Sequence, residues 1–368
     1  MVKRRSAVLI VGLLVAAAPL AAQSRLGPDW STNTNKRTIS FGELMSGGPP
    51  KDGIPAIDEP RFVSQRQARR WIAPQEPILV VVLNGEAKGY PLQILTWHEI
   101  VNDAVGGVPV SVTFCPLCYS AVVFERQVGD VLLDFGVSGF LRNSDLVMFD
   151  RQTETLWQQL TGEAIMGDYV GTTLTPVPAQ LISFAQFQEA YPDAKVLSRR
   201  TGHTREYGTN PYAGYDDIEN TPFLYDGPTD DRLLPMEKVI AVSRSGLDVA
   251  YPHRITRART VLHDQIGGES VVVFHTSGAV SALDEQVIHQ SKEDGSTGVF
   301  LAQLDGRTLT FRAAGDGIAD EETGSTWSIT GKAVAGPLKG EQLTAITHGN
   351  YFAFAWLAFK PESTVFAE

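Results

Sequence analysis

Six short motifs of this chain occur twice, in the same order, and this constrains the fold more than any other feature. Lys88-Gly-Tyr-Pro91 returns as Asp248-Val-Ala-Tyr-Pro252, with Tyr90 and Tyr251 offset by 161 residues. Asn102-Asp-Ala-Val-Gly-Gly107 returns as His263-Asp-Gln-Ile-Gly-Gly268 at that offset, and Ser111-Val-Thr-Phe-Cys115 as Val271-Val-Val-Phe-His275. Asp150 to Trp157 matches Asp320 to Trp327, Gly162 to Gly167 matches Gly331 to Gly336, and Ser183 to Tyr191 matches Tyr351 to Phe359. Long, few copies imply a duplicated domain, whereas a solenoid needs shorter and more numerous units. The expectation is an α+β, strand-rich fold in which two similar domains, residues 78–197 and 238–366, pack through pseudo-twofold related surfaces. Residues 198–237 form a Tyr-, Gly- and Pro-rich connecting strap, with Tyr207, Tyr212, Tyr215 and Tyr225 along it.

Ahead of the repeats, residues 1–22 read as a signal peptide. A basic Lys3-Arg4-Arg5 precedes a short apolar run, Ser6 to Ala18, and a small-residue segment permits cleavage after Ala22. The expected location is periplasmic or secreted, with no integral membrane segment after cleavage. Residues 23–77, punctuated by Gly and Pro, are expected to wrap the first domain. A net charge of −11 disfavours binding to a phosphate backbone, so no nucleic-acid partner is expected.

Within the first copy, Ile78 to Leu83 and Ala87 to Leu92 read as a hairpin around Asn84-Gly85. Ile94, Trp97, Ile100, Val101 and Val105 fall at helical spacing, which predicts a helix over 94–105 ended by Gly106-Gly107. The stretch 110–124 reads as strand, tight turn, strand. On that turn sit Cys115 and Cys118, the chain's only cysteines.

As a staple, a bridge closing so short a loop contributes only about 2 kcal/mol, which a chain with a large core does not need. A ligating or reactive role therefore gains weight. Thioredoxin-type chemistry wants its first Cys at a helix N-terminus, and the β-prone Ser120 to Glu125 makes that geometry doubtful. Strand–turn–strand C-P-x-C is instead half of a zinc-ribbon-like site, whose remaining ligands must come from His or carboxylate. Two thiolates in an exported protein also suit copper(I). His98, on the neighbouring helix, is the expected third ligand, and the cofactor is expected to be copper or zinc. Glu99, Asp103, Ser138, Asn143 and Tyr212 are candidate ligand-binding residues. Gly136-Val-Ser-Gly139 lacks the nucleophile-elbow pattern, and Asn143 and Asp145 read as turn residues. Trp157 and Trp327, at equivalent positions, read as core. In the second copy His275 stands where Cys115 does and Gly278 where Cys118 does. That copy is expected to be a degenerate structural partner, with His275 and His348 in hydrogen-bonded structural roles.

Tyr90-Pro91, Trp97 to Asp103, Phe114-Cys-Pro-Leu-Cys118, Asn143 to Arg151, Leu156-Trp-Gln158, Arg205-Glu-Tyr-Gly208 and Thr323-Gly-Ser-Thr-Trp327 together resemble the domain-of-unknown-function 3179 family. The likeness covers roughly residues 75 to 366. It implies an exported bacterial or archaeal protein and carries no assigned activity. In some members another residue stands for the second Cys, which implies that Cys115 outranks Cys118. The leading expectation is an exported protein holding a soft metal through Cys115 and Cys118. One alternative is a thiol-disulfide oxidoreductase with Cys115 as nucleophile. The other is a carbohydrate or small-ligand binder using Tyr212, Tyr215 and Trp157.

Overall fold

The computed structural model describes residues 26–315 and 317–367, so residues 1–22, expected to be a signal peptide, lie outside the described residues. With 12% helix and 41% strand, the fold is strand-rich α+β. Among the described residues each half contributes three larger sheets and a two-stranded one, Gln127–Val128 with Val131–Leu132 and Gln303–Leu304 with Arg307–Thr308. In the first half the order is Ala179–Ser183, Pro77–Leu83, Glu86–Pro91, Lys195–Leu197 and Phe62–Ser64, with Lys195–Leu197 parallel to Glu86–Pro91. In the second it is Gly349–Phe352, Lys238–Arg244, Leu247–Pro252 and Thr364–Val365, with Thr364–Val365 likewise parallel to Leu247–Pro252. A second sheet runs Pro176–Val177, Ser120–Glu125, Val108–Cys115, Ile100–Val105, beside Val261–Ile266, Glu269–Thr276, Ser296–Leu301 in the other half. The third contains Phe135–Arg142, Asp145–Asp150, Leu156–Gln158 and Ala164–Met166, beside Phe311–Ala314, Gly317–Asp320, Thr326–Trp327 and Ala333–Ala335.

The halves share their cores. Phe114, Tyr119 and Leu95 lie in one buried cluster with Phe352, Ala353 and Trp356, while Ile78, Phe184 and Phe187 lie in another with Phe274, Phe300 and Trp327. The contacts are reciprocal: Ala179–Ser183 packs on Ser296–Leu301, and Gly349–Phe352 packs on Ser120–Glu125. Gln180 Nε2 donates to the carbonyls of Thr297 and Ile329 at 2.9 and 2.7 Å, tying polar groups across that seam. The segment preceding residue 77 runs along the first half. Met45–Ser46 extends the sheet at Phe135–Arg142, and Asp52 and Asp58 pair with Arg151.

The helix expected over 94–105 is shorter. It spans Leu92–His98 and stops at Glu99, whose φ of 58° no helix accommodates. Ile100–Val105 is a strand paired with Val108–Cys115, and Gly106-Gly107, with φ of 55° and 80°, is the hairpin turn rather than a helix stop. The apolar spacing was ambiguous because Val101 and Val105, four residues apart, share a face in a helix and in a strand alike.

Strand register also corrects the expected equivalence of Cys115 and His275. Ile100 pairs with Thr113 as Val261 pairs with Phe274. Phe114 N donates to Glu99 O at 2.8 Å, as His275 N does to Thr260 O at 2.8 Å. His275 therefore matches Phe114, and Thr276 matches Cys115. Beyond Thr276 the tight Cys turn is replaced by a long loop, residues 277–295. The Trp motif recurs with the same hydrogen bonds. Trp157 Nε1 donates to Asp150 Oδ2 and Trp327 Nε1 to Asp320 Oδ2, each at 2.9 Å, while Thr153 and Thr323 cap the same carboxylates. Trp157 is fully buried, so it offers no face to a sugar ring.

Candidate metal centre

Pro116 opens a single 3₁₀ turn over Pro116–Cys118, and Tyr119 closes it in the left-handed region at φ 54°. Ser120 then pairs back with Cys115. Six residues therefore reverse the chain with both sulfurs on one side, and both cysteines are buried free thiols. The third group comes from another sheet. Asn143 and Ser144, at φ 50° and 65°, form the turn between Phe135–Arg142 and Asp145–Asp150, with the Ser144 carbonyl 4.0 Å from Cys115 Sγ. Asp145 follows, and its carboxylate lies with the two sulfurs in a group whose ligand atoms are all within 4.8 Å of one another. The carboxylate is aimed by Gln158 Nε2 at 2.6 Å and the Leu160 N–H at 3.0 Å. Left-handed non-glycine residues cost on the order of 1–3 kcal/mol each, and here Glu99, Tyr119 and Ser144 adjoin the same small volume.

Every titratable group there is pushed toward its neutral form. Burial raises the Cys115 thiol, and burial together with Cys115 and Asp145 raises Cys118 further. Burial outweighs the hydrogen bonds from Gln158 and Leu160 and lifts Asp145 to about 6. Glu99, buried at the end of Leu92–His98, is lifted to about 8 by burial and by Asp145. Burial also raises Tyr212 and Tyr215 of the strap; Glu99 and Cys115 add to the first, and Cys118 and Cys115 to the second. Tyr215 Oη donates to the Leu117 carbonyl at 3.1 Å, and Ser144 Oγ donates to the Phe223 carbonyl, so the strap lies over the Cys turn. Tyr351 enters from the second half and is raised by burial and Asp145.

The expected residues divide clearly. Cys115 and Cys118 come together, Glu99 and Tyr212 lie beside them, and Asn143 is in the adjoining turn. His98 is not part of the convergent group. Its Nδ1 is 2.7 Å from the Pro55 carbonyl and its Nε2 2.6 Å from Tyr207 Oη, so both nitrogens hold the strap and the N-terminal segment. Burial, with His203 and Arg205, lowers it to about 4, and it stays neutral. Asp103 faces away, bonded to Lys88 and to Tyr90 Oη. Ser138 Oγ donates to the Val147 carbonyl inside the sheet. His275 contacts Thr256 Oγ1 and the Asp294 carbonyl, and His348 the Ile346 carbonyl. Asp145, Tyr215 and Tyr351 complete the surroundings. The signal for Asp145 was an acid opening an otherwise apolar strand, Asp145-Leu-Val-Met-Phe.

The family model described as "Protein of unknown function (DUF3179)" matches residues 51–363, most of the chain. The chain belongs to that family. No curated protein and no solved structure matches it. The DUF3179 match takes in Cys115, Cys118, Asp145 and Glu99 together with the strap. Among the described residues, no helix is long and apolar enough to cross a membrane.

Proposed function

We propose that this protein binds a thiophilic metal ion through Cys115, Cys118 and Asp145. The observation that carries the reading is the convergence of two sulfurs and a carboxylate oxygen, all buried. Physical chemistry supports it. Two carboxyls and two thiols share a buried volume, and no lysine or arginine pairs with Glu99 or Asp145 among the described residues. A cation would offset the cost of ionising such buried groups, and a bound metal deprotonates thiols outright. The high thiol pKa values in its absence argue against an activated Cys115 nucleophile, which needs a lowered one. A donor set of two sulfurs and one oxygen suits zinc, while copper(I) would use the sulfurs alone, so we rank zinc first. Glu99 or an exogenous ligand would complete the shell.

Metal-content analysis of anaerobically purified protein, followed by zinc and copper(I) titration of the chelated form, tests the reading. Absence of stoichiometric uptake of either would defeat it. Stability against pH supplies a second check. Glu99 and Asp145 have folded values of about 8 and about 6, above their unfolded values near 4. The folded state therefore holds extra protons, and metal-free stability is expected to fall as pH rises from about 4 to about 8. Zinc should abolish or reverse that fall in urea titrations, since a metal favours the ionised forms.

We infer further that residues 78–197 and 238–366 are copies of one domain joined by the strap at 198–237. The matched sheet orders and the reciprocal seam contacts support this. We also propose export. Intact-mass analysis of envelope protein should then find a chain beginning near Gln23; a membrane-bound species retaining Met1 to Ala22 would overturn it.

A further inference from the structure

Two segments far apart in the chain meet in one basic face. Residues 61–70 hold four arginines, residues 195–205 hold three arginines and a lysine, and neither segment contains an Asp or Glu. Strand pairing brings them together: Lys195 lies opposite Ser64, and Ser198 N donates to the Arg61 carbonyl at 2.7 Å. Ser64 then caps a single helical turn, Gln65–Ala68. The turn continues as Arg70 N donates to the Gln67 carbonyl at 3.3 Å, so Arg66, Arg69 and Arg70, spaced i, i+3 and i+4, share a side. Arg199 locks the segments to each other. Its guanidinium lies 4.8 Å from the centre of the Trp71 ring and donates to the Trp71 carbonyl at 3.0 Å, which holds Arg199-Arg200 against Arg70-Trp71.

Arg61, Arg66, Arg69, Arg70, Lys195 and Arg200 are all exposed, and among the described residues none of them takes part in an ion pair. The acids that flank the two segments in the chain, Glu59, Asp193 and Glu206, pair with none of them either. Crowding like charges on one face costs repulsion, which an external polyanion relieves. The chemistry of the face narrows that partner. A protein partner needs an apolar centre, and none of the large hydrophobic side chains exposed among the described residues falls in 61–72 or 195–205. Five of the six free cations are guanidinium forks, which suit phosphate oxygens. We propose that this face docks the protein on an anionic phospholipid bilayer. Lipid headgroups move laterally and gather beneath separate arginines, whereas a nucleic-acid duplex fixes its phosphates on a cylinder. The proposal rests on the export proposed above, which places the chain beside lipid phosphate.

Co-sedimentation with vesicles, using the chain that begins at Gln23 so that the apolar run Ser6 to Ala18 is absent, tests the proposal. Binding is expected to phosphatidylglycerol–phosphatidylcholine vesicles and not to pure phosphatidylcholine. Each basic residue at an anionic surface contributes about fivefold in affinity. Combined Arg66→Gln, Arg69→Gln and Arg70→Gln should therefore weaken binding on the order of a hundredfold. These side chains make no hydrogen bond among the described residues, and glutamine suits a helical turn, so the fold is retained. Combined Arg307→Gln, Arg312→Gln and Lys339→Gln, at exposed positions of the second half, change net charge equally and should bind within about twofold of wild type. Raising salt from about 0.05 M to about 0.5 M should weaken wild type by about tenfold or more. Duplex DNA at equal phosphate concentration should not displace the chain from the vesicles. No binding to anionic vesicles, equal losses in the two triple variants, or displacement by the duplex would overturn the proposal. Binding is measured on purified components, so its failure and a failure of the export test are told apart.

Discussion

Cys115→Ser is expected to lower zinc affinity by roughly a hundredfold or more, and Cys118→Ser to do nearly the same. Changes in the outer shell of a metal site commonly cost about 10- to 100-fold, so loss of a sulfur from a three-donor set costs at least that. Asp145→Asn keeps the shape and the contact to Leu160 N but removes the charge, and a loss of about tenfold to a hundredfold is expected. His98→Gln should retain full stoichiometry, because both His98 nitrogens are committed elsewhere. Competition against a chromophoric chelator gives the affinities, and cobalt(II) substitution reports thiolate charge transfer. Unchanged zinc uptake in Cys115→Ser would sink the metal reading, and loss of uptake in His98→Gln with the fold intact would return His98 to the ligand set.

The second large effect is on stability. Lys238→Met should destabilise the protein by about 3–5 kcal/mol, the usual consequence of removing one member of a buried ion network. Lys238 Nζ is 2.9 Å from both Asp216 Oδ2 and Asp294 Oδ2, and 4.0 Å from the centre of the Tyr119 ring. Burial pushes Asp294 and Asp216 up, but Lys238 and the hydrogen bonds outweigh it and hold Asp294 well below the usual carboxylate range, with Asp216 also lowered. Stability from these two acids is present above their unfolded values near 4 and is lost as pH falls through the lower folded ones. Lys238→Met should remove that acid-side dependence as well as the stability. Urea denaturation across pH decides it; a variant within about 1 kcal/mol of wild type would show the network to be dispensable.

Much of this was legible in the sequence, for identifiable reasons. Cysteine is rare enough here that the Cys115–Cys118 turn located itself, and β-branched residues on both sides gave its strands. The Asp150–Trp157 and Asp320–Trp327 motifs were visible as repeats, although the indole-to-carboxylate bond was not. Asp145 could not be assigned, because its approach to Cys118 depends on how two sheets pack, and locally it resembles any turn residue beside Asn143. His98 misled because closeness along the chain does not fix direction: the break at Glu99 sends the chain back as a strand and leaves His98 facing Pro55 and Tyr207. The offset between Cys115 and His275 was one residue out, since the unbroken apolar run Val271-Val-Val-Phe has no alternation to fix its alignment.

The strap at 198–237 also sets a time scale. Its backbone is fastened to the 277–295 loop through Asn210, Gly214 and the carbonyl of Gly208, while Tyr215 is anchored on the far side at Leu117. Lifting it from the Cys turn means breaking contacts in both halves together. For an ion seated beneath, dissociation is then gated by a segmental opening of the protein rather than by the bond strengths of three donors. Such a lock would make loading easiest while the chain is still folding, and would make the folded protein slow to exchange a bound ion.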